Sequence, residues 1–235
     1  MQRWSAEHLA ALAATAVAAA ALVAGARRLG EAWARSVARA LAVVIAAGFV
    51  VEQIVYAVRG EWSVQVNLPL QLSDAVTFVS VAALWRPDAP LLVELVWFWA
   101  LSASVQAILT PDLQRTFPDP LYFTYFATHS GAVAAACLLV IGMRRAPRTG
   151  AVWRAYAMTA AFAAVAAVAT LATGGNYMFL RRKPVEGSLL DLMGPWPVYI
   201  AAGAALGLVL FVALAGIARA VAGAAPSRPS ASMPP

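Results

Sequence analysis

Long apolar segments are the feature that most limits how this chain can fold. Seven segments of about 18 to 24 residues consist almost entirely of apolar and small side chains, and a helix of that length can cross a bilayer. These segments are 7–25, 37–58, 68–85, 91–109, 121–143, 152–172 and 197–220. The sequence therefore predicts an all-α fold, a polytopic membrane helical bundle with seven transmembrane helices.

The composition excludes an ordinary soluble fold. Hydrophobic residues make up 62% of the chain and charged residues only 12%, whereas soluble domains are roughly half apolar and a quarter charged. Residues 1–223 are predicted to form one seven-helix transmembrane domain in a lipid bilayer. Residues 224–235, which are small, polar and Pro-rich, are predicted to form a disordered cytoplasmic tail.

The distribution of basic residues predicts the orientation in the membrane. With the N-terminus outside, eleven of the 17 basic residues fall on the cytoplasmic side, as the positive-inside rule requires. The outer run of Arg181, Arg182 and Lys183 goes against this rule. Most basic residues near the first apolar segment follow it rather than precede it, so it is expected to remain as the first helix and not to act as a signal peptide. We expect a multi-pass protein of the inner (plasma) membrane with a cytoplasmic C-terminus.

The charge and the scarcity of metal-binding side chains narrow the possible functions. In a membrane protein, Arg clusters in short loops indicate topology and contact with anionic headgroups, so no nucleic-acid partner is expected. Cys137 is the only cysteine, His8 and His129 are the only histidines, and no metalloprotease or nucleotide-binding motif occurs. We expect neither a metal nor another cofactor. The oligomeric state is unknown from the sequence.

Polar side chains gather near the outer ends of several predicted helices and in one outer loop. They are Asn67, Gln71, Ser73, Asp74, Gln106, His129, Asn176, Arg181 and Arg182. The cytoplasmic halves of the same helices are nearly all Ala, Val and Leu. Because polar groups inside a membrane are unfavourable and usually functional, this pattern predicts an outward-facing intramembrane pocket.

Ser73 and His129 are the candidate catalytic pair. Ser73 lies about 8 Å along a helix that starts at Leu68, and His129 about 12 Å along one that starts at Leu121, so similar depths are expected. A serine hydroxyl is a poor nucleophile alone and needs a base such as histidine. Asp74 is a candidate to orient His129, although it can instead pair with an arginine.

The remaining polar residues are candidate substrate contacts. Asn67 and Gln71 can donate hydrogen bonds to a developing oxyanion, or they can cap the helix and bond to its neighbours. Gln106 and Asn176 are expected to line the pocket. Arg181 and Arg182 can hold a lipid phosphate, or they can lie in an ordinary solvated loop.

Four sequence blocks carry a resemblance to a known family. They are LPLQLSD at 68–74, QAILTPDL at 106–113, THSG at 128–131 and GNYMFL at 175–180. In this order they resemble the signature blocks of the YwaF-like bacterial integral membrane proteins, which are related to eukaryotic transmembrane protein 164. That relative is a lipid acyltransferase, and the resemblance implies that its nucleophilic Cys falls on Ser73 and its His on His129. The chain departs from the family pattern by having Ser where the acyltransferase has Cys.

The sequence and the resemblance together predict a function. We expect an integral membrane lipid acyltransferase or lipid hydrolase that uses a Ser-His pair, with a membrane phospholipid or other acyl lipid as substrate. The alternative is a transporter or ligand-binding membrane protein without catalysis. Paired repeats and a midplane binding site, which are common in transporters, are not evident in the sequence.

Overall fold

The structure is a computed structural model that describes residues 3–184 and 187–223. These residues form six helices and two short 3₁₀ turns, Tyr177–Phe179 and Leu189–Met193, with no β-strand. The helices are α1 Ala6–Val58, α2 Leu72–Trp85, α3 Pro90–Leu109, α4 Pro120–Gly142, α5 Ala151–Thr173 and α6 Val198–Gly223. The predicted all-helical fold is confirmed. The predicted disordered tail, 224–235, lies outside the described residues.

Five of the six described helices are long and apolar enough to cross a membrane, and α2 is shorter. The sequence predicts seven transmembrane helices, so the counts differ. The difference arises in α1, where the first two predicted segments are joined without an intervening loop. Gly30 interrupts α1 with φ 85° and ψ −176°, a backbone conformation that glycine adopts without steric penalty.

The contacts of α1 with α4 show that the chain reverses direction at Gly30. The Thr15 hydroxyl donates to the Ser130 hydroxyl at 2.7 Å, so residue 15 lies level with residue 130. Ile45 packs on the neighbouring Gly131, where an added Cβ would lie 2.6 Å from its Cγ1. Residues 15 and 45 are equally far from Gly30. The two arms of α1, 6–29 and 31–58, therefore lie side by side and antiparallel.

Small and aromatic side chains form the core of the bundle. Alanines on the second arm of α1, including Ala38 and Ala42, are fully buried and allow close approach to the neighbouring helices. The ring of Trp97 on α3 is buried and donates to the Leu214 carbonyl of α6 at 3.0 Å. Trp99 donates to Thr159 of α5 at 2.7 Å. These bonds attach α5 and α6 to α3.

Ion pairs connect the segments at one end of the bundle. We call this the Gly30 end; it contains Gly30, the α2–α3 loop and the α4–α5 loop, and the opposite end is the Gly60 end. Glu94 is 1% exposed and accepts hydrogen bonds from the guanidinium groups of Arg148 and Arg154 at 2.8 Å each. A buried carboxylate needs such partners to remain ionised. Glu94 therefore fixes the start of α5 against α3.

Helix α2 begins four residues later than the sequence predicts. Gln71 is its N-cap, and the backbone N–H of Gln71 donates to the Asp74 carboxylate at 2.9 Å. Pro69 disfavours helical backbone at the preceding residue, Leu68, which accounts for the extended entry. Ser73 is thus the second residue of α2 and not the sixth residue of a longer helix.

Candidate functional site

The loop after α5 packs onto the start of α2. The Met178 N–H donates to the Gln71 side-chain carbonyl at 2.8 Å. The Tyr177 hydroxyl donates to the Val64 carbonyl at 2.6 Å, and its N–H donates to the Thr170 hydroxyl at 3.1 Å. Two blocks that are about 100 residues apart in sequence therefore meet at the Gly60 end, and Gln71 contacts the loop through its acceptor oxygen.

The Asn176 side chain holds this loop in shape through hydrogen bonds to its backbone. Its side-chain oxygen accepts from the N–H groups of Arg181 and Arg182 at 3.1 and 3.0 Å, and its amide donates to the Arg182 carbonyl at 2.8 Å. The Arg181 guanidinium donates to the Gly174 carbonyl at 3.3 Å. Arg182 is exposed, and its guanidinium has no hydrogen-bond partner among the described residues.

The side chains of Asn67 and Asp74 each accept a hydrogen bond from a backbone N–H group. The buried Asn67 side chain accepts from the Ser63 N–H at 2.9 Å, and Asp74 accepts from Gln71 as described above. Asp74 forms no ion pair with an arginine and no hydrogen bond with His129 in the described part of the chain. The Glu52 carboxylate of α1 lies close enough to Asp74 for electrostatic interaction. In the described residues Asn67 and Asp74 therefore have structural contacts, and Asp74 caps the start of α2 instead of pairing with the arginine that the sequence offered as an alternative.

Gln106 lies on the exposed surface of α3. Its amide donates to the Thr110 hydroxyl, one helical turn later, at 2.7 Å. The neighbouring Ala107 carbonyl faces inward and accepts from the Tyr125 hydroxyl at 2.7 Å. The structure therefore brings Tyr125, rather than Gln106, to the inner face between α3 and α4.

His129 is held in the interior of the bundle. Its ring is half-buried, and its Nδ1 atom is buried without a hydrogen-bond partner among the described residues. The Tyr125 ring lies against the imidazole, with centroids 4.3 Å apart and the planes inclined by 62°. Because Tyr125 is itself fixed by the Ala107 carbonyl, it orients the imidazole.

Ser73 lies on α2, which packs directly against α4. Its carbonyl accepts from the Thr77 hydroxyl at 2.9 Å. Its own hydroxyl is half-buried and forms no hydrogen bond with His129 or with any other described residue. The two candidate residues thus lie on neighbouring helices without being in hydrogen-bond contact.

Contacts through α1 give the relative depth of Ser73 and His129. An added Cβ at Gly48 would lie 3.1 Å from Ala127 of α4, and the Phe49 and Phe78 rings are 4.8 Å apart. Phe78 therefore lies near the level of Ala127, which places the His129 backbone about 10 Å deeper than that of Ser73. The imidazole projects back toward the start of α4 and narrows this gap. The predicted equal depth is corrected, because α2 starts at Leu72.

Two buried serines near the depth of His129 are not among the site residues predicted from the sequence. Ser80 on α2 and Ser104 on α3 are 0% exposed, and neither hydroxyl has a hydrogen-bond partner in the described residues. Serine is common at contacts between membrane helices, so its presence alone carries no functional signal. Only the packing of α2, α3 and α4 distinguishes these two serines from the others.

The start of α4 is set by charges outside the membrane segments. Asp119 caps α4 by accepting from the Leu121 N–H at 2.8 Å and also pairs with Arg59 at 3.0 Å. The hydrogen bond from Arg59 lowers the pKa of Asp119 below its usual value, and the Leu121 N–H adds to this effect. The described residues contain no group of three His, Cys, Asp or Glu side chains that could hold a metal ion.

Comparison with known proteins identifies the family. No curated protein and no solved structure matches the chain. A sequence model of the TMEM164 family matches residues 3–215, which include five complete helices and most of α6. The match confirms the resemblance seen in the four sequence blocks and spans most of the chain, so this protein belongs to the TMEM164 family.

Proposed function

We propose that this protein is a membrane-embedded enzyme that transfers or hydrolyses an acyl group of a lipid. The observation that carries the proposal is the imidazole of His129, which packs against Tyr125 and whose buried Nδ1 has no hydrogen-bond partner among the described residues. An ionisable side chain inside a membrane bundle is energetically unfavourable, and such residues usually mark a functional site. The resemblance to eukaryotic transmembrane protein 164, a lipid acyltransferase, supports acyl chemistry.

The proposed reaction uses a hydroxyl and a base. His129 accepts the proton of the Ser73 hydroxyl as Ser73 Oγ forms a bond to the ester carbonyl carbon of the lipid. The ester C–O bond then breaks, and the protonated His129 returns the proton to the departing alcohol. In the second half of the reaction a lipid hydroxyl or water gives its proton to His129 and attacks the carbonyl carbon of the acyl-serine. The C–O bond to Ser73 then breaks, and His129 returns the proton to Ser73 Oγ. Ser73 and His129 are not hydrogen-bonded in the free protein, so the proposed reaction requires the two side chains to come together in the substrate complex.

The short length of α2 supports a position for Ser73 below the membrane surface. Its 14 residues span about 21 Å, less than the hydrocarbon thickness of roughly 30 Å. Backbone that is not helical at membrane depth must be buried in protein or line a cavity. We infer that the start of α2, with Ser73, lies below the membrane surface and is covered by the loop that carries Met178.

The charge distribution supports seven crossings with the Gly30 end in the cytoplasm. If each arm of α1 crosses once, the six described helices make seven crossings. The Gly30 end contains ten arginines and three carboxylates in the described residues. The arginines are Arg27, Arg28, Arg35, Arg39, Arg86, Arg144, Arg145, Arg148, Arg154 and Arg219. By the positive-inside rule, Ser73 and His129 then face the outer leaflet of the plasma membrane, where Arg181 and Arg182 meet lipid headgroups.

Labelling with a fluorophosphonate tests the proposal, because this reagent reacts with activated serine hydroxyls. We expect purified wild-type protein to be labelled and the Ser73→Ala and His129→Gln variants to lose labelling. Ser102→Ala is the matched control, since its hydroxyl already donates to the Phe98 carbonyl at 2.6 Å. Equal labelling of wild type and both site variants would overturn the proposal and leave a transporter or ligand-binding protein.

A further inference from the structure

Three buried polar atoms on three different helices lack a hydrogen-bond partner in the part of the chain that the structure describes. They are Ser80 Oγ on α2, Ser104 Oγ on α3 and His129 Nδ1 on α4. Both serines are 0% exposed. A buried polar group without a partner is destabilising, and nearly all such groups in native proteins are paired with protein or ordered water.

The packing of the helices places these atoms at one level. Helices α2, α3 and α4 contact one another pairwise. Ser80 follows Phe78 by two residues and His129 follows Ala127 by two, so the pairing of Phe78 with the level of Ala127 also aligns Ser80 with His129.

The contact between α3 and α4 aligns Ser104 in the same way. The Tyr125 hydroxyl bonds to the Ala107 carbonyl, and from this contact Ser104 lies three residues deeper on α3. His129 lies four residues deeper on α4, so Ser104 and His129 are within about one helical turn of each other. The three residues therefore lie within about one helical turn of the same depth, on three helices that contact one another.

The local structure of α3 adds an independent feature. Residues Ala100–Ser104 form a π-helical turn, and such turns are frequent at functional sites. Within this turn the Ser102 hydroxyl bonds back to the Phe98 carbonyl, whereas the Ser104 hydroxyl does not. The turn thus presents one satisfied and one unsatisfied hydroxyl on the same short segment.

We propose that Ser80, Ser104 and His129 Nδ1 bind a buried water molecule. A buried water typically makes about three hydrogen bonds, which matches three polar partners from three helices. The water accepts a hydrogen bond from the Nδ1–H of His129 and forms one hydrogen bond with each of the two serine hydroxyls. This arrangement leaves Nε2 unprotonated. The role of Nε2 as the base rests on the proposed function, whereas the water site does not.

In this arrangement the water occupies the orienting role that the sequence suggested for Asp74. Ser80 and Ser104 are then positioning residues, because they act on His129 through the water. Asp74 instead accepts from the N–H of Gln71 at the start of its own helix.

His8, the second of the two histidines, provides an internal control. It is 0% exposed, its Nδ1 accepts from the Trp4 N–H at 3.0 Å, and its Nε2 lies 2.7 Å from the Ile108 carbonyl. Its proton must therefore reside on Nε2. The proposal predicts the opposite tautomer for His129, and it predicts water beside His129 but not beside His8.

Solid-state NMR of ¹⁵N-histidine-labelled protein in phospholipid bilayers tests the proposal. The ¹⁵N shifts report the tautomer of each ring, and transfer of magnetisation from water to nitrogen reports hydration. The His129→Gln variant assigns the two sets of signals. We expect transfer to His129 to be several-fold faster than transfer to His8, with the proton on Nδ1 of His129. Transfer as slow as that to His8, or a proton on Nε2, would overturn the water site.

Serine variants test whether the two hydroxyls hold the water. We expect Ser80→Ala combined with Ser104→Ala to slow transfer to His129 several-fold and to give a mixture of tautomers. Ser102→Ala is expected to change neither. An unchanged signal in the double variant would overturn the assignment of these serines. A hydrated His129 without fluorophosphonate labelling would overturn only the proposed function, and labelling with a dry His129 would overturn only the water site.

Discussion

Replacing Gly131 by alanine tests whether α1 folds back along α4. A Cβ at this position would lie 2.6 Å from Cγ1 and 3.2 Å from Cδ1 of Ile45, which is fully buried. Ordinary contacts between carbon atoms are about 3.5–4.0 Å, so the helices must separate by about 1 Å. Overpacking of this kind costs about 1–3 kcal/mol, and the better helix propensity of alanine offsets at most about 1 kcal/mol. We expect a net loss of about 1–2 kcal/mol.

Unfolding by sodium dodecyl sulfate in mixed micelles, followed by tryptophan fluorescence, measures this loss. Gly207→Ala is the matched control, because a Cβ there meets nothing within 4 Å and the change is expected to be neutral or stabilising. Combining Gly131→Ala with Ile45→Ala should lose about 1 kcal/mol less than the sum of the single variants, since the added methyl fills the vacated space. Equal stabilities of Gly131→Ala and Gly207→Ala would refute the reversal at Gly30.

Three further predictions concern the contacts that position the site. Glu94→Ala should lower the unfolding free energy in the same micelle assay by about 1–3 kcal/mol, because the hydrogen bonds from two guanidinium groups are lost while those groups remain partly solvated, and Glu94→Gln should lose less. Because the pKa of Asp119 is lowered in the folded state, its stabilising effect is present above about pH 4 and is lost as pH falls through the lowered pKa; acid titrations of Asp119→Asn should lack this loss. Gln71→Ala should speed hydrogen exchange at Met178, and Gln71→Glu, which keeps an acceptor, should do so less.

One result for each of these variants would contradict the expected effect. Wild-type stability of Glu94→Ala would show that its ion pairs contribute nothing to packing. An acid transition in Asp119→Asn identical to that of wild type would show that the Asp119 carboxylate does not stabilise the start of α4. Hydrogen exchange at Met178 that is as slow in both Gln71 variants as in wild type would show that the bond to the loop is not formed in the membrane.

Most of the helical segments could be predicted from the sequence because a membrane helix needs a long apolar run. The predicted segments 91–109, 121–143, 152–172 and 197–220 agree with α3 to α6 within three residues at each end. The direct continuation of the first arm of α1 into the second was not predicted. The charged segment between the two apolar runs was expected to be a loop, but it remains helical except at Gly30.

The positions of individual polar side chains were harder to predict. Sequence could place Asn67 and Asp74 near the start of a helix, because Asn and Asp favour caps; Gln71, the actual N-cap, is not a preferred cap residue. The sequence could not show that Asp74 accepts from Gln71 or that Gln71 accepts from Met178, since the latter contact joins segments 107 residues apart. His129 could be singled out because an ionisable residue inside a membrane is unusual. Ser80 and Ser104 gave no such signal.

The central claim is that Ser73 and His129 act together on an acyl ester, and ester cleavage measures this most directly. Purified protein in lipid nanodiscs would be mixed with p-nitrophenyl butyrate, and release of p-nitrophenol would be followed by absorbance. We expect wild type and Gly207→Ala to release p-nitrophenol, and the rate of release to fall by about 100-fold or more in Ser73→Ala and in His129→Gln. Release at the wild-type rate by both site variants would contradict it.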